Sequence, residues 1–287
     1  MEAGKIGQIA NMKQVLILGA KGMLGGQLMK VFGGGATGWD RGDCDVTQAE
    51  SLKLKVKSLR PRAIINCVAY NDVDGAESHR ELAFTLNAEV VKNLSAIANQ
   101  LNIPLAHFSS NYVFDGEKGE YKEDDQPNPL SAYGQSKYQG EQNLIANCKK
   151  YYLIRTSVLF GPKGQSELAK KSFVDLMLEL SQKTATIKAI NDETNSLTYA
   201  PDLALAVKNL IADGKPYGIY HLVNSGQASW FELAREIFSI AGKKITVEPV
   251  PSTAFPRTAS RPKKSALINT KLDPLRPWQE ALKEFLI

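Results

Sequence analysis

Gly19-Ala20-Lys21-Gly22-Met23-Leu24-Gly25 follows directly on the apolar run Gln14 to Leu18 and leads into Met23 to Phe32, a segment with helical spacing. Strand, tight turn and helix in that order leave few folds open. In such a unit the first glycine allows the tight turn and the second lets backbone approach a pyrophosphate. The third permits close packing of helix on strand. The helix N-terminus then offers free N–H groups and a partial positive charge, which suits phosphates. Gly19, Lys21, Gly22, Met23, Leu24 and Gly25 are therefore candidate cofactor residues.

The same alternation continues along the chain. A strand near Thr37–Trp39, a helix over Gln48–Leu59 and a buried strand over Ala63–Val68 come first, with Pro61 ending the helix. A long helix over Glu81–Leu101, a strand over Pro104–Ser109, a helix over Ser136–Asn147 and a strand over Tyr151–Arg155 follow. Strands alternating with helices of this length predict an α/β fold, a doubly wound parallel sheet of Rossmann type. Beyond Gly161 the alternation loosens. Helices are expected over Glu167–Gln182, Pro201–Ala212 and Ser229–Ala241, with strands over Thr186–Ile190 and Gly218–Val223. Six prolines from Pro249 to Pro277 predict a tail of extended pieces and short helices. The expected division is a discontinuous dinucleotide-binding domain, 12–160 and 198–226, and a smaller C-terminal substrate domain, 161–197 and 227–287. Residues 1–11 read as a disordered extension, with Met12 as the functional start.

Composition narrows the function classes. Of 287 residues 43% are hydrophobic and 23% charged, as in ordinary globular proteins. No apolar run approaches the roughly 20 residues of a membrane helix, and the N-terminus carries no secretory h-region. Cys44, Cys67 and Cys148 are scattered and form no CxxC pair, which argues for reduced thiols in a cytoplasm. His79, His107 and His221 have no metal-ligand spacing, so no metal is expected. The net charge of +5 is carried by no long basic run, which speaks against nucleic acid. The densest basic region, Arg257, Arg261, Lys263 and Lys264, suits a small anionic ligand.

Asp40-Arg41 follows the second strand. An acid there pairs with the ribose hydroxyls of NAD, and an adjacent arginine can take the 2′-phosphate of NADP. Both are present, and Arg41 tilts the expectation to NADPH, with NADH left open. Asp45 and Val46 are candidates to lie against the adenine. Further on, Ser110 follows the strand that ends at Ser109, and Tyr133 and Lys137 stand four apart at a helix start, hence on one face. Tyr133 is the only tyrosine of ten with a lysine four residues on. Hydroxyl, phenol and ammonium are the groups needed to hand a proton to a carbonyl while a nicotinamide hands it a hydride. A free tyrosine has a pKa of about 10, and bringing it to about 7 takes about 4 kcal/mol of differential stabilisation. The Lys137 ammonium and a positive nicotinamide ring are the expected sources.

These residues resemble the dTDP-4-dehydrorhamnose reductase family of extended short-chain dehydrogenase/reductases, whose GxxGxxG spacing the first turn shares. The likeness runs from about Lys13 to the C-terminal helix. It is carried by Arg60–Ser78, Asn87-Ala88-Glu89, Asn111–Gly116, Glu123–Glu141, Arg155-Thr156-Ser157, Tyr220–Val223 and the Arg261-Pro262-x-x-Ser265-x-Leu267 motif. The resemblance implies NAD(P)H-dependent reduction of the C4 ketone of dTDP-4-dehydro-L-rhamnose, with Tyr133 as proton donor. It places Ser110, Tyr133 and Lys137 on the catalytic hydroxyl, tyrosine and lysine, with Lys137 also on the nicotinamide ribose. Cys67, Val68, Ala69 and Tyr70 fall beside the nicotinamide, Asn111, Tyr112 and Tyr133 near the sugar, and Arg261 in a motif for the substrate nucleotide. A homodimer is compatible with it.

Three departures stand out. Asn111 replaces the family's usual aspartate, Val158 replaces an aromatic residue common in many members, and Asp192–Thr198 lacks the glycine and proline usual in that loop. They leave open a reductase or epimerase of another nucleoside-diphosphate sugar. The family also resembles the regulatory β subunit of methionine adenosyltransferase, which binds NADP without catalysing a reaction. Fold alone does not separate that role from catalysis.

Overall fold

The computed structural model describes residues 14–166 and 170–287. Its centre is a six-stranded, all-parallel sheet: β1 (Val15–Leu18), β2 (Ala36–Trp39), β3 (Ala63–Asn66), β4 (Leu105–Ser110), β5 (Tyr151–Thr156) and β6 (Gly218–His221), in spatial order 2-1-3-4-5-6. Alternate side chains of the strands enter two different cores. Val15, Ile17, Ala63, Ile65, Ala106 and Ile154 pack on Leu24 and Leu28 of α1 (Met23–Phe32). The same core takes Leu203, Val207 and Leu210 from the later helix Ala200–Ala212. Leu16, Leu18, Ile64, Leu105 and Leu153 face the other way. They meet Leu52 and Val56 of α2 (Ala49–Leu59), Leu94 and Ala98 of α3 (Val90–Leu101) and Leu144 of α4 (Ala132–Asn147). Helices thus cover both faces, which is why the strands read as continuous apolar runs.

β1 pairs with β2 on one side and β3 on the other, Val15 facing Ala36 and Ala63. The winding direction reverses there, and the crevice beyond the carboxyl ends of the strands at such a point is where ligands bind in open α/β sheets. A third core lies outside the sheet. It joins Val174 and Met177 of α5 (Phe173–Leu180), Leu233 and Ile237 of α7 (Trp230–Ile240) and Trp278 and Leu282 of α8 (Trp278–Leu286), with α6 naming the helix Ala200–Ala212 between them in the chain. A parallel pair, Thr186–Ile190 with Thr246–Val250, flanks this C-terminal lobe.

Several boundaries differ from expectation for local reasons. The long helix expected over Glu81–Leu101 runs as Arg80–Phe84, a π-helical turn Thr85–Glu89, and then α3. Such turns absorb an extra residue and occur mostly at functional sites. α4 starts at Ala132, four residues before the expected start, because Ser131 caps it by accepting the Gly134 N–H. The helix expected from Glu167 starts at Phe173, where Ser172 and Asp175 form a capping box. Residues 167–169 of that expectation, and the expected extension 1–11 with Met12, lie outside the described residues. Among the described residues no helix is long and apolar enough to cross a membrane. None of the three cysteines is in a disulfide.

Candidate active site

The glycine turn sits at the end of β1, at the reversal point. Gly19 has φ +74°, and its N–H donates to the Trp39 carbonyl at 2.8 Å, tying the turn to the end of β2. A methyl group on Gly25 would stand 2.1 Å from the Gly19 oxygen, so α1 lies on the turn at a distance only glycine permits. Asp40 accepts the Lys21 backbone N–H with both carboxylate oxygens, at 3.0 and 3.2 Å, and so braces the turn it was expected to accompany. Arg41 and the Lys21 side chain are exposed beside it. Asp45 commits its carboxylate to Thr47, which holds it below the usual carboxylate range, and Val46 is buried in the core with Leu18 and Leu52. Leu24 is likewise a core side chain, leaving its backbone, with that of Met23, to the crevice. Across the turn, the Ser166 N–H donates to the Lys21 carbonyl at 3.0 Å.

Cys67, Val68, Ala69 and Tyr70 leave the end of β3 as a loop fixed from two sides. Asn66 Oδ1 accepts the Val68 N–H at 3.1 Å. Asn87, in the π-helical turn, pairs with both the N–H and the carbonyl of Tyr70, at 2.9 and 3.1 Å. Asn87 Nδ2 also donates to Ser136 Oγ, which donates to the Tyr133 carbonyl at 2.8 Å. The cofactor loop and the first turn of α4 are thereby held by one buried amide.

Ser110, Tyr133 and Lys137 come together at the carboxyl end of β4. The α4 start lies against the backbone of Tyr112, where a methyl on Gly134 would stand 2.3 Å from the Tyr112 oxygen. Tyr112 and Tyr133 meet edge to face, ring centroids 5.9 Å apart. Burial pushes the Tyr133 phenol up to about 12, against a hydrogen bond with Ser110 that pulls it down. Lys137, one of the two expected sources of a lowering, is not among the groups that act on it. The Lys137 ammonium donates to the Phe108 carbonyl at 2.6 Å. Burial brings Lys137 down to about 8, and Glu141, one turn further along α4, holds it up. Glu141 itself grips Arg155 through two bonds, at 2.9 and 2.7 Å, the pair being fully buried.

The expected substrate residues divide. Tyr112 is half-buried, its phenol under the influence of the Arg261 charge. Asn111 is buried beneath Ser110 and bonded to Asn195 and Ser265, so it supports the site from below and does not face a sugar. Val158 has φ +36°, a conformation rare for a β-branched residue, and its side chain packs against the C-terminal core. Arg261 is not a free cation. It grips Asp74 through two bonds, at 3.1 and 2.6 Å, and this holds the Asp74 carboxyl down at about 2. Asp74, Asn87, Glu193 and Asn195 went unassigned in the sequence. Glu193, in the altered loop, is buried, paired with Arg257 and bonded by the Trp230 indole. All four lay in stretches singled out beforehand, Arg60–Ser78, Asn87–Glu89 and Asp192–Thr198, but none was given a role there. Among the described residues no cluster of His, Cys, Asp or Glu side chains is arranged to hold a metal ion.

A dinucleotide crevice at the reversal point, joined to a serine, a tyrosine and a lysine at the fourth strand, defines an extended short-chain dehydrogenase/reductase. A family model described as the RmlD substrate binding domain matches residues 12–287, and the chain belongs to that family. It is 34% identical to dTDP-4-dehydrorhamnose reductase of Aggregatibacter actinomycetemcomitans, over 95% of this chain and 98% of the relative. It is 35% identical to a probable dTDP-4,6-dihydroxy-2-methyloxan-3-one 4-ketoreductase of Streptomyces antibioticus, over 94% and 93%. A crystal structure of dTDP-4-dehydrorhamnose reductase from Bacillus anthracis str. Ames, in complex with NADP, superposes with a TM-score of 0.90 at 35% identity, covering 95% of this chain and 98% of that one.

Proposed function

We propose that this chain is an NADPH-dependent oxidoreductase that reduces the C4 ketone of dTDP-4-dehydro-L-rhamnose to give dTDP-L-rhamnose. The observation that carries the reading is the buried meeting of Ser110 and Tyr133, with Lys137 one turn on, beside a loop that leads back to the glycine turn. The backbone of Gly19 to Gly25 and the α1 N-terminus fit a pyrophosphate. Asp40 and Arg41 fit the adenosine ribose and its phosphate, and Cys67 to Tyr70 with Lys137 fit the nicotinamide end. The dinucleotide bound there supplies a hydride to the C4 carbon. Tyr133 gives its phenolic proton to the C4 oxygen, so that one C–H and one O–H bond replace the carbonyl π bond. Ser110 Oγ hydrogen-bonds the same oxygen and orients it. Lys137, its ammonium on the Phe108 carbonyl, serves the nicotinamide ribose.

In this reading 12–160 with 198–226 carry the dinucleotide, and 161–197 with 227–287 carry the sugar nucleotide. Tyr112 contacts the sugar, and the diphosphate meets Arg257 and Arg261 by competing with their present partners Glu193 and Asp74. The reading extends to a cytoplasmic homodimer, for which the free cysteines support the compartment. Product analysis tests the function. Incubation with NADPH and dTDP-4-dehydro-L-rhamnose is expected to yield dTDP-L-rhamnose by NMR, and recovery of unreduced ketone would overturn it.

A further inference from the structure

We propose that Asn195 and Ser265, two side chains of the C-terminal lobe, are positioning residues for the reduction, acting through Asn111 on the Ser110 hydroxyl. The inference rests on the reading of Ser110 given above. Asn111, Asn195 and Ser265 are 2%, 3% and 0% exposed, so each polar atom must find its partner within the protein. Asn111 Nδ2 has two hydrogens and uses both, one to Asn195 Oδ1 at 2.9 Å and one to Ser265 Oγ at 2.7 Å. Ser265 Oγ also donates to Asn195 Oδ1 at 3.2 Å, closing a three-membered ring. With its nitrogen held on that side, the amide turns Oδ1 toward Ser110, whose hydroxyl donates to it at 3.3 Å and accepts the Tyr112 N–H at 3.2 Å. These two bonds fix Oγ, and its single hydrogen turns from Asn111 to the ketone oxygen when substrate arrives.

The two outer members are fixed by backbone. Asn195 is central in Thr194–Ser196, which pairs antiparallel with Gln227–Ser229. Ser265 opens Ser265–Leu267, which pairs parallel with Gly119–Tyr121. Thr194 also bridges to Lys264, so the two strands hold each other. The lobe that carries the sugar nucleotide therefore sets the rotamer of the hydroxyl that must meet the ketone oxygen. Without the ring the Asn111 amide is free to turn over, and Ser110 loses the partner that selects one of its three staggered positions. A displacement of about 1 Å at a reacting group costs up to about a hundredfold in rate.

The neutral amide at 111 belongs to this arrangement. A carboxylate there would have no hydrogen to give Asn195 Oδ1.

The test is a double-mutant cycle in NADPH-dependent reduction of dTDP-4-dehydro-L-rhamnose, with Asn195→Ala and Ser265→Ala made in the wild type and in Ser110→Ala. Ser265→Ala removes a single oxygen and leaves the fold least disturbed. Asn195→Ala should lower kcat about tenfold and Ser265→Ala about threefold, with KM for NADPH unchanged. In the Ser110→Ala background each should change kcat by less than about twofold, because the group they position is gone. Equal losses in both backgrounds, or none in either, would overturn the inference and leave the role of Ser110 intact. Wild-type turnover in Ser110→Ala alone would instead overturn the reading on which it rests.

Discussion

Glu141→Gln is the substitution whose consequences the structure fixes most tightly. Glu141 and Arg155 are 1% and 2% exposed, and the carboxylate takes Arg155 Nε and Nη2 at 2.9 and 2.7 Å. An amide of the same shape keeps one acceptor and turns an N–H toward the other guanidinium N–H. The buried charge is left with the Glu123 carbonyl at 3.2 Å, His221 Nε2 at 3.5 Å and the face of Phe114 at 5.0 Å. His221 adds no second positive charge, since burial and the Arg155 charge pull it down to about 4. Breaking such a pair costs about 3–5 kcal/mol. For a chain of this size that is a fall of about 5–8 °C in Tm, read by calorimetry. Arg155→Met with Glu141→Leu, which removes both charges together, should recover most of the loss. A kinetic effect accompanies the thermal one. Glu141 is the main influence raising Lys137, so its neutralisation moves Lys137 below about 8. Activity that needs the ammonium is lost as pH rises through that value, and the basic limb of the kcat profile should move to lower pH in the mutant. A Tm within about 2 °C of wild type, with an unmoved basic limb, would refute the reasoning on both counts.

Gly25→Ala should weaken NADPH binding at least about tenfold, measured by fluorescence titration, because the added methyl meets the Gly19 carbonyl at 2.1 Å and the turn must open. Unchanged affinity would mean that the turn does not hold the dinucleotide. Asp74→Asn should flatten the acid side of the stability profile. A carboxyl held down at about 2 contributes stability above its unfolded value of about 4, and that contribution is lost as pH falls between the two. Its partial exposure keeps the effect small. Equal acid sensitivity in mutant and wild type by denaturant titration would show that the clasp with Arg261 carries no linkage.

How far the sequence could be read follows from the range over which each feature is determined. α1 was legible to the residue because its apolar period and glycine turn are local. The sheet followed from alternation, since a strand covered on both faces must be apolar throughout. Ser110, Tyr133 and Lys137 were legible because two are one turn apart and the third ends a strand. The contacts that aim these residues were not. Asn111 meets Asn195 and Ser265 across 84 and 154 residues, and Arg261 meets Asp74 across 187. Short polar side chains carry no periodic signal that would announce such pairings. The same limit applies to Val158, whose left-handed backbone no propensity rule expects of a valine. Spacing alone also did not show that the Lys137 ammonium turns to the Phe108 carbonyl.

The central claim is that a buried, protonated Tyr133 delivers the proton to a sugar ketone. The most direct test follows NADPH oxidation by the purified protein with dTDP-4-dehydro-L-rhamnose, wild type beside Tyr133→Phe, with NADPH affinity measured for both. The account predicts turnover by the wild type and a loss of at least about a hundredfold in the mutant at nearly unchanged affinity for NADPH. Equal rates in the two proteins would contradict it.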